Sequence, residues 1–73
     1  MLIRTERMLM IVEVKRKRQI GHEIIAEVEE KVRRLRHDRR LSVRTALVYD
    51  GKLSASVLAD RYFDFIVSSG ELL

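Results

Sequence analysis

The hydrophobic pattern of the first 15 residues predicts two strands. Residues 8–12 are continuously apolar, and the charged residues Glu13 and Lys15 then alternate with Val14. A short apolar run rich in branched side chains is typical of a central strand that is covered on both faces. Residues 2–5 form a shorter run, and we predict that they pair with the central strand as an antiparallel neighbour.

From Ile20 the apolar positions change to helical spacing, and this pattern lasts to about His37. Apolar residues recur every three or four positions and form one stripe, made of Ile20, Ile24, Ile25, Val28, Val32 and Leu35. Acids stand four residues before bases on the opposite face, in the pairs Glu27–Lys31, Glu29–Arg33 and Glu30–Arg34. We therefore predict a helix from Ile20 to about His37, followed by a polar connection at residues 37–40.

The rest of the chain predicts a strand, a short helix and another strand. Residues 41–49 contain many branched side chains, and Asp50-Gly51 ends this strand as a turn. Ser54 can cap a short helix that ends near Asp60. Residues 62–67 form the third main strand. Its aromatic residues are expected in the core, namely Tyr62, Phe63 and Phe65.

This order of elements predicts an α/β fold with a three- to four-stranded mixed sheet, in the order β-(β)-α-β-α-β. Strands that alternate with helices form parallel neighbours joined by right-handed crossovers. With 73 residues the chain forms a single domain, and such a short chain buries only a small core. It contains no Cys to form disulfides. We therefore expect stability to come from a homo-oligomer or from a larger partner chain.

Charge adds a preference for polyanionic partners, because the formal net charge is +4. A basic run at residues 15–18 follows the first main strand. It can contact nucleic-acid phosphates, and a solvated loop explains it equally well. A second basic group is better explained as a solvated face, and it consists of Arg33, Arg34, Arg36, Arg39 and Arg40. No apolar run approaches the length of a membrane span, so we expect a cytoplasmic protein without membrane contact.

Glu13 and Lys15 are the residues that could carry chemistry. Residues i and i+2 of a strand lie on the same face, so a carboxylate and an ammonium emerge together at the strand end. Such a pair can serve phosphodiester cleavage. The carboxylate then holds Mg²⁺ or Mn²⁺, and the ammonium stabilises the charged transition state. The alternative is an ion pair between Glu13 and Lys15 that only contributes to stability.

The stretch at residues 11–17, Ile-Val-Glu-Val-Lys-Arg-Lys, resembles the second half of the PD-(D/E)XK nuclease signature. More narrowly, the chain from about Met8 onward resembles the C-terminal nuclease-like domain of some prokaryotic AAA-type and archaeal ATPases. Residues 45–51 and 62–65 then correspond to the later strands of that domain. The resemblance implies a truncated restriction-endonuclease-like core.

The same resemblance implies a role for each residue of the site. Glu13 would be the catalytic metal ligand for Mg²⁺ or Mn²⁺, and Lys15 the electrostatic catalyst. A polar residue at the start of the following helix often assists in this family, which points to Gln19 or Glu23, although a surface helix start explains both equally well. The DNA contacts would be Arg16, Lys17 and Arg18.

One part of the family pattern is missing. The family has an acidic residue, usually Asp, on the preceding strand, and here Glu6 is the one acid upstream of Glu13. Either the chain is a fragment of a longer protein, or a partner supplies the acid, or catalysis has been lost. The function implied is a catalytically incomplete nuclease fragment or remnant associated with an ATPase, with metal-dependent DNA cleavage if it is active. The alternative is a non-catalytic module on the same scaffold. Its basic edge would then hold nucleic acid, or its apolar surface would pair with a second copy.

Overall fold

A four-stranded mixed sheet with two helices forms the fold, in a computed structural model that describes residues 1–35 and 40–72. The elements in chain order are β1 (Leu2–Arg4), β2 (Met8–Ile20), α1 (Glu23–Leu35), β3 (Ser42–Leu53), α2 (Ala55–Asp60), β4 (Phe65–Ser68) and a 3₁₀ turn (Ser69–Leu72). The strands lie in the order β1-β2-β3-β4, with β1 antiparallel to β2 and the others parallel. The predicted α/β class and mixed sheet are confirmed, and the restriction-endonuclease-like identity stays a prediction.

Both helices pack on the same face of the sheet. Their buried side chains share one cluster with the sheet, formed by Ile20, Ile24, Ile25, Val28, Leu47, Val57 and Phe63. Right-handed crossovers that advance in one direction across a sheet place successive helices on one face. The prediction that residues 8–12 are covered on both faces holds only for the helix side in the described residues: Leu9 and Ile11 are buried there, whereas Met8, Met10 and Val12 on the opposite face are half-buried. An apolar run predicts that its side chains are buried, but it does not show which part of the protein covers them.

The long helix begins later than its apolar stripe. Ile20 is the last residue of β2 and pairs with Leu53 of β3, so the prediction that the helix starts at Ile20 is wrong. Its side chain is 2% exposed and belongs to the same core as the helix, which is why it fits the helical spacing. The predicted cap of the short helix is confirmed, because the Ser54 hydroxyl accepts a hydrogen bond from the Ser56 backbone N–H at 3.3 Å.

The sequence predicted a turn at Asp50-Gly51, but strand β3 continues through these residues to Leu53. It pairs with the end of β2, and the register shifts between Arg16 and Gln19. We call this two-stranded extension, residues 16–20 and 50–53, the arm. Gly51 has φ 130°, and a Cβ there would lie 1.8 Å from the Lys17 carbonyl oxygen. The glycine thus permits a close approach of two backbones within a strand.

Strand β4 is shorter than predicted. Tyr62 and Phe63 precede it, and their rings meet edge to face with centroids 5.2 Å apart. Phe63 is buried in the core, as predicted. Phe65 is 55% exposed, so its assignment to the core is wrong. Register pairs it with Ala46, on the sheet face that the helices leave uncovered.

Three parts of the sequence predictions fall on residues that the structure does not describe. They are the predicted end of the long helix near His37, Arg36 and Arg39 of the second basic group, and the polar connection except for Arg40. Within the described residues, neither helix is long and apolar enough to cross a lipid bilayer.

Candidate functional site

Glu13 lies beneath α1 and is held there by a lysine. Its side chain is 11% exposed, and both carboxylate oxygens accept hydrogen bonds from Lys31 Nζ, at 2.9 and 2.6 Å. Lys31 belongs to α1, where the sequence predicted a pair with Glu27 on the solvent face. That prediction is wrong, because the lysine pairs across to the sheet instead.

Lys15 lies on the same sheet face as Glu13, as strand alternation predicts. Its Nζ is 3.1 Å from Oε2 of Glu27, so it pairs with α1 as well. The predicted alternative of an ion pair between Glu13 and Lys15 is therefore replaced by two pairs to the helix. Because α1 runs back over β2, Glu13 meets Lys31 near the end of the helix and Lys15 meets Glu27 one turn earlier. The opposite directions of strand and helix thus place each acid next to a base.

Of the other two predicted helix pairs, Glu29–Arg33 is wrong, whereas Arg34 does act electrostatically on Glu30, as predicted. Arg33 bonds Glu30 at 2.7 Å, three residues before it, instead of Glu29. The hydrogen bond from Arg33 lowers the pKa of the Glu30 carboxyl below its ordinary value. Both side chains are largely exposed, so this pair contributes little to stability.

The residues around Glu13 do not fit a Mg²⁺ or Mn²⁺ centre. Such ions take hard oxygen ligands, and both oxygens of Glu13 already accept hydrogen bonds from a cation. In residues 1–35 and 40–70, no group of three or more His, Asp or Glu side chains is placed to hold a metal. Glu6, the upstream acid, is exposed in the turn between β1 and β2. The geometry thus gives no support to Glu13 as a metal ligand.

The predicted nucleic-acid contacts lie together on the arm. Arg16 and Lys17 are exposed, and each is 3.7 Å from one acid, Asp50 and Glu23 respectively. Arg18 and Lys52 are exposed too, and in the part of the chain that the structure describes neither has an acidic partner. The sequence analysis did not group Lys52 with the basic run, because the expected turn at Asp50-Gly51 separated the two. In the arm, Lys52 pairs with Gln19, and this register brings Lys52 beside the basic run.

The two predicted helper residues lie near the basic run and away from Glu13. Gln19 is an exposed residue of the arm. Glu23 is the first residue of α1, and its carboxylate accepts a hydrogen bond from its own backbone N–H. This bond, together with the nearby Lys17 ammonium, holds the pKa of Glu23 below its ordinary value. Glu23 thus occupies the position at the helix N-terminus where an anion would be stabilised.

A shallow groove runs between the arm and the start of α1. It has a volume of about 410 Å³ and is lined by Lys17, Arg18, Gln19, Gly21 and Glu23. Two of these residues are cations and one is the carboxylate that shields the helix end. The groove therefore offers a place for an anionic group beside the arm, with Glu23 opposing it.

Comparison of the chain with known protein families, with curated proteins and with solved structures finds no match. The resemblance to PD-(D/E)XK nucleases therefore rests on the residues that first indicated it.

Proposed function

We propose that this chain is a non-catalytic module that binds nucleic acid through the basic residues of its arm. The observation that carries the proposal is the contrast between two sets of charges. Glu13 and Lys15, the residues suited to catalysis, are neutralised by partners on α1. Arg18 and Lys52 of the arm are exposed, and the described residues provide neither with an acidic partner.

The chemistry of the arm favours contacts to phosphates over contacts to bases. Lysine and arginine side chains that neutralise phosphates release counterions, and this supplies most of the affinity in sequence-independent binding. Residues 16–20 and 50–53 include no aromatic side chain, so the arm has no platform on which a base could stack. We therefore expect binding that depends strongly on salt and weakly on sequence.

A catalytic function would require Glu13 to be released from Lys31 and joined by further oxygen ligands. Metal-dependent cleavage and association with an ATPase chain accordingly stay predictions of the family resemblance. The non-catalytic module needs no such rearrangement, because its cations already face solvent.

The proposal is tested by removing the charge of the arm. The triple variant Arg16→Gln, Lys17→Gln, Arg18→Gln is expected to bind duplex DNA at least about tenfold more weakly than the original chain. The slope of log K against log salt should also become shallower, by about 0.9 for each phosphate that the variant no longer neutralises. Fluorescence anisotropy with a labelled duplex at several salt concentrations measures both quantities.

A matched control separates the position of the charges from their number. The variant Arg4→Gln, Arg7→Gln, Arg34→Gln removes the same net charge from exposed sites away from the arm. We expect it to keep most of the affinity and nearly the same salt slope. Equal losses of affinity in the two triple variants, or no binding by the original chain, would contradict the proposal.

Glu23→Gln is expected to strengthen binding by about two- to fivefold, through the small electrostatic terms of an exposed helix end. The substitution removes the carboxylate that now faces Lys17 and shields the N-terminus of α1. The same anisotropy measurement serves as the readout. Glu30→Gln is the control, since it removes an equivalent exposed carboxylate of α1 far from the arm. An unchanged affinity in Glu23→Gln would show that the ligand does not approach the start of α1.

A further inference from the structure

The sheet face opposite the two helices is apolar and uncovered in the described residues. We call it the open face. Strand alternation and register place these apolar residues on it: Ile3 of β1, Met8, Met10, Val12 and Val14 of β2, Ala46 and Val48 of β3, and Phe65 and Val67 of β4. Ser42 and Arg44 of β3 lie on the same face, beside Met8 and Met10. Val14 is 58% exposed and Phe65 is 55% exposed. Soluble proteins rarely leave such a continuous apolar surface in water unless it meets a partner.

The area of the open face matches the centre of a protein interface. With seven residues each of β2 and β3, four of β4 and three of β1, at about 3.3 Å per residue and about 4.8 Å between strands, the flat area is about 330 Å². Each partner in a standard interface contributes about 800 Å². The open face therefore supplies about two fifths of such a surface, and the surrounding rim must supply the rest. Interfaces commonly have this division into an apolar centre and a polar rim.

The rim of the open face carries balanced charges. Arg16 and Asp50 stand beside each other at one end of the strands, 3.7 Å apart. Arg44 and Asp64 stand at the other end, 3.4 Å apart. These two pairs are neutral, although the whole chain has a net charge of +4. The basic surfaces of two copies repel each other. The paired charges at the ends of the open face add no such repulsion, so two copies can meet at this face.

We propose that the open face binds the open face of a second copy of this chain, forming a two-sheet sandwich. A twofold contact places the same surface on both partners, so the surface must complement itself. The twofold axis lies between the two sheets and runs perpendicular to the strands. It places the Arg44–Asp64 end of one copy over the Arg16–Asp50 end of the other. Arg44 of one copy then lies over Asp50 of the other, since both belong to β3, and the apolar patches cover each other.

Thiol labelling tests the proposal with conservative substitutions, because the chain contains no Cys of its own. Val14→Cys places a thiol on the open face, at the end of the apolar patch next to Arg16 and Asp50. Leu58→Cys is the matched control, since Leu58 is 55% exposed on α2, on the other side of the sheet. With rising protein concentration, the labelling rate of Val14→Cys should fall at least about tenfold by mass action, and that of Leu58→Cys should stay constant. Light scattering should meanwhile show a mass of twice 8.6 kDa.

Each other outcome would overturn the proposal. A monomeric mass at tens of micromolar, with labelling of Val14→Cys independent of concentration, would leave the open face to a different kind of partner. A dimeric mass with an unprotected Val14→Cys thiol would place the contact elsewhere, for example at the edge strand β1. Protection of both thiols would indicate general association without a defined face.

Discussion

Gly51→Ala is expected to separate the strands of the arm and to lower the free energy of unfolding by about 2–4 kcal/mol. A Cβ at this position would lie 1.8 Å from the Lys17 carbonyl oxygen, which is backbone and cannot rotate away. The positive φ of 130° adds a conformational penalty for any residue with a side chain. Because the chain has only 73 residues, such a loss is a large fraction of its stability. Urea denaturation followed by circular dichroism measures it.

Gly70→Ala is the matched control for this substitution. A Cβ at Gly70 would meet its nearest neighbour, Ser68 Oγ, at an ordinary contact distance of 3.6 Å. We expect its stability to stay within about 0.5 kcal/mol of the original chain. Gly51→Ala should also weaken DNA binding, since the pairing of the arm brings Lys52 beside the basic residues of β2. Equal stabilities of the two variants would show that the arm tolerates a side chain at Gly51.

The local patterns of the sequence are sufficient to predict most of the fold. The apolar run at residues 8–12 predicted β2, the helical stripe predicted α1, and Ser54 predicted the start of α2. Each of these signals depends on neighbours within a few positions. The arm was missed for the opposite reason. Asp-Gly has a strong local preference for a turn, and the partner strand that holds Gly51 within β3 lies more than 30 residues away.

The candidate site was predicted less completely, because its contacts join distant parts of the chain. Alternation along β2 correctly placed Glu13 and Lys15 on one face. It could not show that α1 covers this face, nor that Lys31 and Glu27 reach across to the strand. Spacing along a helix suggests pairs within the helix, whereas packing decides which charges meet. The sequence therefore indicated reactive residues at a position where the fold neutralises them.

Lys31→Met is expected to lower the free energy of unfolding by about 2–3 kcal/mol, because it leaves the Glu13 carboxylate buried without its cation. The side chain of Lys31 is 41% exposed, so water compensates part of the loss and the effect stays below that of a fully buried pair. The double variant Glu13→Leu, Lys31→Leu should recover most of the stability, since apolar residues can replace a buried ion pair. Urea denaturation of the three proteins measures these differences.

The same pair decides between a structural and a catalytic role for Glu13. If its role is structural, the original chain shows no Mn²⁺-dependent cleavage of single-stranded, duplex or branched DNA, and the double variant binds DNA as tightly as the original chain. Lys15→Met is the control for the neighbouring pair, and its loss of stability should be smaller, since Lys15 and Glu27 are 29% and 46% exposed. Cleavage by the original chain that disappears in Glu13→Ala would instead show that α1 releases Glu13 and that the family resemblance extends to catalysis. Stability and cleavage are separate readouts, so a variant that merely unfolds is not mistaken for a catalytic loss.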